Sequence, residues 1–304
     1  MERSYFDLTR RDFMKAVTAI GAAVGVSSTG VMQLEKAFGL ESANGGLPVV
    51  WLHASSCTGC SVSMLNSIYY TTIDDLLMNT LDLNYHPTVM APSGELAVAA
   101  AEAAYAQGGY VLLVDGAIPT GEGGKFCSLW DGLSALDGVR KYASKASQIL
   151  AIGSCACFGG MCSGAPNPTR SRGLGTRFAG KRVINIPGCP THPDWVVGTI
   201  AYLLANGAPP PMDVYGRPTE FFSGRIHATC PLRGRAEPTQ LGQGGCLIRL
   251  GCKGPYTKGD CQTRLWNSPG NDQFGVNFCM NAGGPCIGCT EPSFPDGMAP
   301  FYRV

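Results

Sequence analysis

Short apolar runs alternate with longer mixed segments between residue 47 and about residue 208. Five of the runs have the length and the apolar content of buried strands, and they lie at 48–52, 83–90, 110–115, 148–152 and 182–186. Helices are predicted at 94–107, between Ser93 and Gly108, and at 194–206, before Gly207. This alternation predicts an α/β fold with a doubly wound parallel sheet, whose ligands bind beyond the carboxyl ends of the strands.

From Pro209 onward the periodic pattern gives way to glycine, proline and cysteine. The whole chain has 41 Gly and 21 Pro in 304 residues, which favours turns and close backbone approaches over long helices. We therefore predict an α/β domain over 44–210 and a largely irregular domain over 211–304. Charged residues make up 15% of the chain and its net charge is +1, which argues against a nucleic-acid-binding protein.

The N-terminus carries an adjacent pair of arginines, Arg10 and Arg11, before a weakly apolar stretch at 16–32. The stretch is too short to span a membrane comfortably. The pattern predicts a twin-arginine signal peptide over 1–43, which exports folded proteins to the periplasm. The alternative is a chance basic pair before a surface helix. No later segment has the continuous apolar length of a transmembrane anchor, and none is predicted.

Fourteen cysteines against four histidines are unusual for a chain that is long enough to fold without disulfides. Cys57 and Cys60 follow the first predicted strand, Cys155 follows the fourth and Cys189 the fifth. Because the carboxyl ends of parallel strands share one sheet edge, these four thiolates are expected to surround one site. Four thiolates suit a cubane iron–sulfur cluster or a structural zinc ion. Disulfides are a third possibility, although a Cys-x-x-Cys pair makes a poor internal crosslink.

The second half holds two more sets of candidate ligands, one with three thiolates and an imidazole and one with four thiolates. The first set is His227, Cys230, Cys246 and Cys252, and the second is Cys261, Cys279, Cys286 and Cys289. A single histidine more often has no ligand role, but its place three residues before a cysteine, in a segment without helical periodicity, favours ligation. Twelve ligands predict three clusters. Cys127, Cys157 and Cys162 remain, and we expect free thiols in or near the core.

Six motifs resemble, in order and spacing, those of the small, electron-transferring subunit of periplasmic nickel–iron hydrogenases. They are Cys57-Thr-Gly-Cys60, Gly153-Ser-Cys155-Ala-Cys157-Phe-Gly-Gly160, Asn185-Ile-Pro-Gly-Cys189-Pro190 with Pro193-Asp-Trp195, Ile226-His227-Ala-Thr-Cys230-Pro231, Leu250-Gly-Cys252-Lys-Gly-Pro255 and Pro285-Cys286-Ile-Gly-Cys289-Thr-Glu-Pro292. The resemblance runs from Arg10 to the C-terminus.

The resemblance implies a flavodoxin-like domain that holds a proximal 4Fe-4S cluster, followed by an irregular domain that holds the medial and distal clusters. It implies that Cys57, Cys60, Cys155 and Cys189 bind the proximal cluster and that His227, Cys230, Cys246 and Cys252 bind a distal 4Fe-4S cluster. The medial ligands would be Cys261, Cys286 and Cys289. The nickel site would lie on a partner, the hydrogenase large subunit, so this chain would carry no catalytic residue.

Electrons would pass to an external carrier, for which the resemblance suggests a multihaem c-type cytochrome. The residues alone leave two other classes of protein possible. A self-standing ferredoxin-like carrier would be a stable monomer without a large apolar contact face. A disulfide-rich exported binding protein would contain no iron.

Two features depart from the common pattern of the family, and two further positions bear on oxygen tolerance. Many members have proline where this chain has Cys279, so a fourth thiolate predicts a medial 4Fe-4S cluster and resembles the nickel–iron–selenium branch. Gly59 and Gly160 stand where oxygen-tolerant members carry extra cysteines, and an oxygen-tolerant proximal cluster is therefore not expected. The stretch at 53–56 also differs from the residues that are common there.

Overall fold

The computed structural model describes residues 46–69, 71–175, 179–268 and 275–301. The predicted signal peptide at 1–43 lies outside the described residues. The strands are β1 (Leu47–His53), β2 (Leu81–Tyr85), β3 (Val111–Asp115), β4 (Ile118–Pro119), β5 (Ser128–Trp130), β6 (Leu133–Ser134), β7 (Gln148–Ile152), β8 (Ser171–Arg172) and β9 (Ile184–Ile186). The helices are α1 (Gly59–Met64), α2 (Ile73–Asp75), α3 (Gly94–Gln107), α4 (Ala135–Lys145), α5 (Gly153–Phe158), α6 (Pro193–Asn206), α7 (Thr219–Phe222) and α8 (Cys261–Arg264).

Five strands form one parallel sheet in the order β2-β1-β3-β7-β9. This is the flavodoxin-like order, and it confirms the predicted doubly wound parallel sheet. The central strand β3 is buried along its whole length, as expected for a parallel strand that is covered on both faces. The remaining strands pair in two short antiparallel ribbons, β4 with β8 and β5 with β6.

Helices cover both faces of the sheet and give it two apolar cores. On one face α3 and α4 pack against alternate strand residues such as Val50 and Leu112. On the other face α1 and α6 pack against the intervening residues, among them Trp51 and Leu113. Because successive side chains of a strand point to opposite faces of the sheet, the apolar residues are divided between the two cores. The loops at the carboxyl edge of the sheet lie between the two layers of helices.

The predicted strand at 83–90 is wrong in its bounds, because β2 spans Leu81–Tyr85. Pro87 has no N–H to donate to a sheet, and the chain turns after His86. The turn is closed by the His86 imidazole, whose Nδ1 accepts a hydrogen bond from the Thr88 N–H at 3.1 Å. The other four strands and both long helices lie within about two residues of the predicted positions.

The chain beyond α6 has little regular structure and a small apolar core of its own. This core contains Ile226, Leu247, Leu250 and Phe278 together with two of the cysteines. Besides α7 and α8, the region has only short 3-10 turns among its described residues. None of the described helices has the length and apolarity that crossing a membrane requires.

A buried arginine joins the beginning and the end of the irregular region beyond α6. The Arg217 guanidinium is fully buried and lies 2.8 Å from Asp213 and 3.1 Å from Glu291. It also donates to the Thr290 carbonyl at 2.9 Å, directly beside the last cysteine of the chain. A buried ion pair that loses one partner leaves an uncompensated charge.

Replacing Arg217 with alanine is therefore expected to lower stability by about 3–5 kcal/mol. The measurement is the apparent melting temperature of the purified, cofactor-loaded protein. Arg140→Ala is the control, because Arg140 forms an exposed pair with Asp137 and such pairs contribute about 0–1 kcal/mol. Equal melting shifts in the two variants would contradict the structural role of Arg217.

Candidate metal centres

Loops at the carboxyl edge of the sheet bring four predicted ligands together as the proximal set, which is Cys57, Cys60, Cys155 and Cys189. The first two follow β1, the third lies in α5 directly after β7, and the fourth comes three residues after β9. Burial raises the pKa of Cys60 and of Cys189, the latter to about 11, and the nearby Cys155 thiolate raises both further. The expected convergence at the sheet edge is therefore present.

The loops that carry the proximal set have backbone conformations that leave room for sulfur. Gly153 has φ +80°, and a β-carbon there would lie 2.4 Å from the Cys60 Sγ. Gly160 has φ +47°, and a β-carbon there would lie 2.8 Å from the Cys155 Sγ. Thr58 is held at φ 67°, which is uncommon for a residue other than glycine. Strain of this kind concentrates at functional sites.

The second group is the distal set, which is His227, Cys230, Cys246 and Cys252. A β-carbon at Gly254 would lie 3.5 Å from the Cys252 Sγ and 3.6 Å from the His227 Cβ, so both side chains flank one glycine. Burial raises the pKa of Cys252, and the thiolates of Cys230 and Cys246 add to the rise. Among the described residues the His227 ring has no hydrogen-bond partner, which leaves its nitrogens open to bind a metal.

The third group is the medial set, which is Cys261, Cys279, Cys286 and Cys289. Burial raises the pKa of Cys286 to about 12 and those of Cys261 and Cys289 well above their usual range. The thiolate of Cys279 raises all three further, which places the exposed fourth cysteine beside the other members.

The three sets contact one another in a line. At one end the Ser154 hydroxyl, next to Cys155, donates to the Cys289 carbonyl, and the Cys189 N–H faces the Cys289 sulfur. At the other end the Cys286 N–H donates to the Cys252 Sγ at 3.4 Å. The medial set therefore lies between the proximal set and the distal set.

Iron–sulfur clusters fit these sets better than isolated thiols do. Buried neighbouring thiols with raised pKa values stay protonated at neutral pH, and iron releases the protons because its positive charge stabilises the thiolates. Glycine beside the sulfurs also lets backbone N–H groups approach them, as the Cys286 N–H does. The donor type, the burial and the backbone shape all suit clusters held by thiolates.

Disulfides and a single zinc ion, the two alternatives that the sequence left open, fit the structure less well than clusters do. All fourteen cysteines lie in the described part of the chain, and none of them forms a disulfide. Within the described residues, no three histidine, cysteine or acidic side chains gather as closely as a single metal ion requires. A zinc ion holds its sulfur ligands at about 2.3 Å, whereas a cluster is larger and keeps its ligands further apart.

Comparison with known proteins decides the family. Residues 57–203 match the family described as NADH ubiquinone oxidoreductase, 20 Kd subunit, and residues 222–302 match the C-terminal family of the NiFe/NiFeSe hydrogenase small subunit. The periplasmic NiFeSe hydrogenase small subunit of Desulfomicrobium baculatum is 36% identical, over 97% of this chain and 98% of that protein. This chain belongs to the NiFe/NiFeSe hydrogenase small-subunit family. The periplasmic NiFe hydrogenase small subunit of Solidesulfovibrio fructosivorans is 37% identical, over 97% and 93% of the two chains.

Solved small-subunit structures share the fold. A chain of the H2-activated NiFeSe hydrogenase of Dm. baculatum matches with a TM-score of 0.78 at 37% identity, over 85% of this chain and 99% of that chain. These identities do not separate the selenium branch from the nickel–iron branch. Assignment to the selenium branch therefore stays a prediction that rests on Cys279.

Cys162 is a fifth thiol at the proximal set of this small subunit, and no pattern along the chain indicates its position. A hydrogen bond between the two thiols raises the pKa of Cys155 and lowers that of Cys162. The Cys162 thiol also points to the Ser55 carbonyl at 3.3 Å. The other two spare cysteines behave as predicted, since Cys157 is buried in the core and Cys127 packs against it.

Asp115 is a second residue that the sequence analysis missed. It ends β3 at the same sheet edge, is buried beside Cys60, and its pKa is raised to about 6, mainly by burial. Its charge contributes to the raised pKa of Cys60. The signal available in the sequence was its position, because an acidic residue at the end of an all-apolar strand lies at the ligand edge.

Gly153→Ala is expected to reduce iron binding by the proximal set. The added methyl group would meet the Cys60 sulfur at 2.4 Å, and φ +80° is unfavourable for alanine. Iron content and the visible absorbance of the purified protein measure the effect. Gly109→Ala is a matched control, because Gly109 has φ +79° but nothing within 4 Å of an added β-carbon. An equal loss of iron in both variants would show that backbone strain alone is responsible.

Proposed function

We propose that this chain relays electrons between the active site of a hydrogenase large subunit and an external carrier such as a multihaem c-type cytochrome. The observation that carries the proposal is the linear contact of the three ligand sets, through Cys289 at one end and through Cys286 with Cys252 at the other. A relay needs redox groups that lie one after another along a path. The chain's contacts supply that order.

Each set would hold one 4Fe-4S cluster, and all twelve residues of the three sets would be ligands. The clusters would supply reversible one-electron redox chemistry when bound. The protein provides thiolates, the His227 imidazole, and backbone N–H groups near the sulfurs. An imidazole in place of a thiolate removes one negative charge from the distal site, which favours a higher potential there.

The proximal end of the line is the end that would face the large subunit. Cys57 is exposed, and the nearby exposed apolar residues are Val62 in α1 and Leu65 directly after it, which are 56% and 43% exposed. Exposed apolar side chains around an exposed ligand suit a protein interface more than a solvated surface. Obligate interfaces exceed about 2,000 Å² and are apolar. We place this chain in the periplasm, exported by the twin-arginine route.

Copurification tests the proposal. With an affinity tag on this chain in its native host, we expect a larger subunit that contains nickel to copurify in a one-to-one complex. Val62→Asp combined with Leu65→Asp should weaken this complex, whereas Met78→Asp is a control on an 80% exposed side chain of another element. A well-behaved, fully iron-loaded monomer would instead indicate a self-standing electron carrier.

A further inference from the structure

Basic residues are concentrated in the segment of the chain that carries the distal set. Residues 225–253 contain five cations and one carboxylate, whereas the whole chain has a net charge of only +1. We call the five cations the basic collar, and they are Arg225, Arg233, Arg235, Arg249 and Lys253. The segment that carries all four members of the distal set is therefore strongly positive, while the rest of the chain taken together is slightly negative.

The basic collar is built onto the same backbone that carries the distal set. The Arg233 guanidinium donates to the Ala228 carbonyl at 3.1 Å, and Ala228 directly follows His227. Arg235 precedes Ala236, whose carbonyl accepts a hydrogen bond from the Cys246 N–H at 2.8 Å. Lys253 is adjacent to a distal cysteine in the chain. The backbone positions of these cations are therefore close to the candidate ligands, and the hydrogen bond to Ala228 holds the Arg233 guanidinium there.

Little of this positive charge is neutralised within the protein. Arg225, Arg233 and Arg235 are exposed, and among the described residues none of them has a carboxylate within ion-pair distance. Arg249 pairs with Glu237 at 2.7 Å, which is the one carboxylate of this segment. Tyr256, 70% exposed, follows the segment and adds the aromatic contact area that is enriched at interfaces.

We propose that the external electron carrier is a small redox protein that docks on the basic collar through an acidic face. The proposal rests on the proposed function, in which electrons leave through the distal set. Charge complementarity steers partners and orients them, and it suits brief encounters because small redox interfaces bury little area. In each encounter one electron leaves this chain and reduces the redox group of the carrier by one electron, and no bond forms or breaks.

The salt dependence of acceptor reduction tests whether the carrier docks through an acidic face. The heterodimer, reduced by H2, is given an acidic and a basic c-type cytochrome as paired acceptors. Between about 10 and 300 mM salt, kcat/KM for the acidic cytochrome should fall by about tenfold or more, because screening removes the steering. For the basic cytochrome it should stay flat or rise. The opposite pattern would overturn the proposal.

Charge reversal locates the docking site. In Arg233→Glu combined with Arg235→Glu, kcat/KM for the acidic cytochrome should fall by more than about tenfold at low salt. The rate is expressed relative to that with a small uncharged dye, so that a loss of folding or of iron cancels. Arg182→Glu is the matched control, because this exposed arginine lies before β9, at the opposite edge of the sheet from the ligand loops.

Three further outcomes separate the possible failures. If the wild-type heterodimer reduces neither cytochrome nor dye, electron exit and the proposed function fail together. If dye reduction is normal and the double variant reduces the acidic cytochrome, relative to the dye, as fast as the wild type does, the collar proposal alone is wrong. Loss of binding to phosphatidylglycerol vesicles in that variant, with unchanged cytochrome kinetics, would assign the basic collar to an anionic membrane surface instead.

Discussion

Replacing His227 with alanine is expected to separate two activities of the heterodimer. Hydrogen–deuterium exchange takes place at the large subunit without any electron leaving it, and we expect it to be retained. Reduction of an external acceptor needs the distal set, and we expect its rate to fall by more than about tenfold. Removing a residue that only hydrogen-bonds a metal ligand costs about 10- to 100-fold, and the loss of a direct ligand should cost at least as much. The reason is that the half-buried His227 ring would be the only non-thiolate ligand of the distal cluster.

A conservative variant checks that the effect comes from ligation. His227→Cys restores a fourth donor, so it should recover iron content while shifting the distal potential downward, because a thiolate adds negative charge. In this variant a thiolate takes the place of the imidazole as the fourth ligand, at the same position of the backbone. If His227→Ala reduced acceptors at the wild-type rate, the histidine would be an ordinary surface residue and the distal set would lack its fourth member.

Replacing Cys279 with proline is expected to convert the medial cluster to a three-iron form. Cys279 lies beside the other three medial cysteines, and its loss would leave one corner of a cubane without a protein ligand. Spectroscopy of the oxidised protein distinguishes the forms, because an oxidised 3Fe-4S cluster is paramagnetic and an oxidised low-potential 4Fe-4S cluster is not. We expect the signal to appear in the variant together with the loss of about one iron from about 12.

Cys127→Ala is the control for this experiment, since it removes a thiol that packs against the core of the sheet and belongs to none of the three sets. Its iron content should equal that of the wild type. A stoichiometric three-iron signal in undamaged, anaerobically purified wild-type protein would contradict the role of Cys279. The medial site would then be a three-iron site with a spare thiol beside it.

The sheet and its ligand edge could be predicted from the sequence because they depend on local signals. Apolar runs such as 148–152 fix a strand, and parallel pairing brings Cys155 and Cys189 to one edge whatever the details of the loops. Glycine after a helix, as at Gly207, marks its end through a left-handed conformation. These features need no knowledge of long-range packing.

The second half could not be predicted in the same way. Its ligands lie on irregular backbone, whose path is set by buried contacts such as Arg217 with Glu291 rather than by periodicity. The contact of Cys286 with Cys252 and the position of Cys162 beside Cys155 both follow from tertiary packing. Spacing along the chain indicates which residues could be ligands, but it does not give the order of the sets in space.

The most direct test of the relay is to add H2 to the anaerobic, oxidised heterodimer without any acceptor and to record its visible and electron paramagnetic resonance spectra. The account predicts that iron–sulfur absorbance bleaches and that reduced-cluster signals appear, because electrons enter this chain from the large subunit. Normal hydrogen–deuterium exchange with iron–sulfur spectra that stay fully oxidised would contradict it.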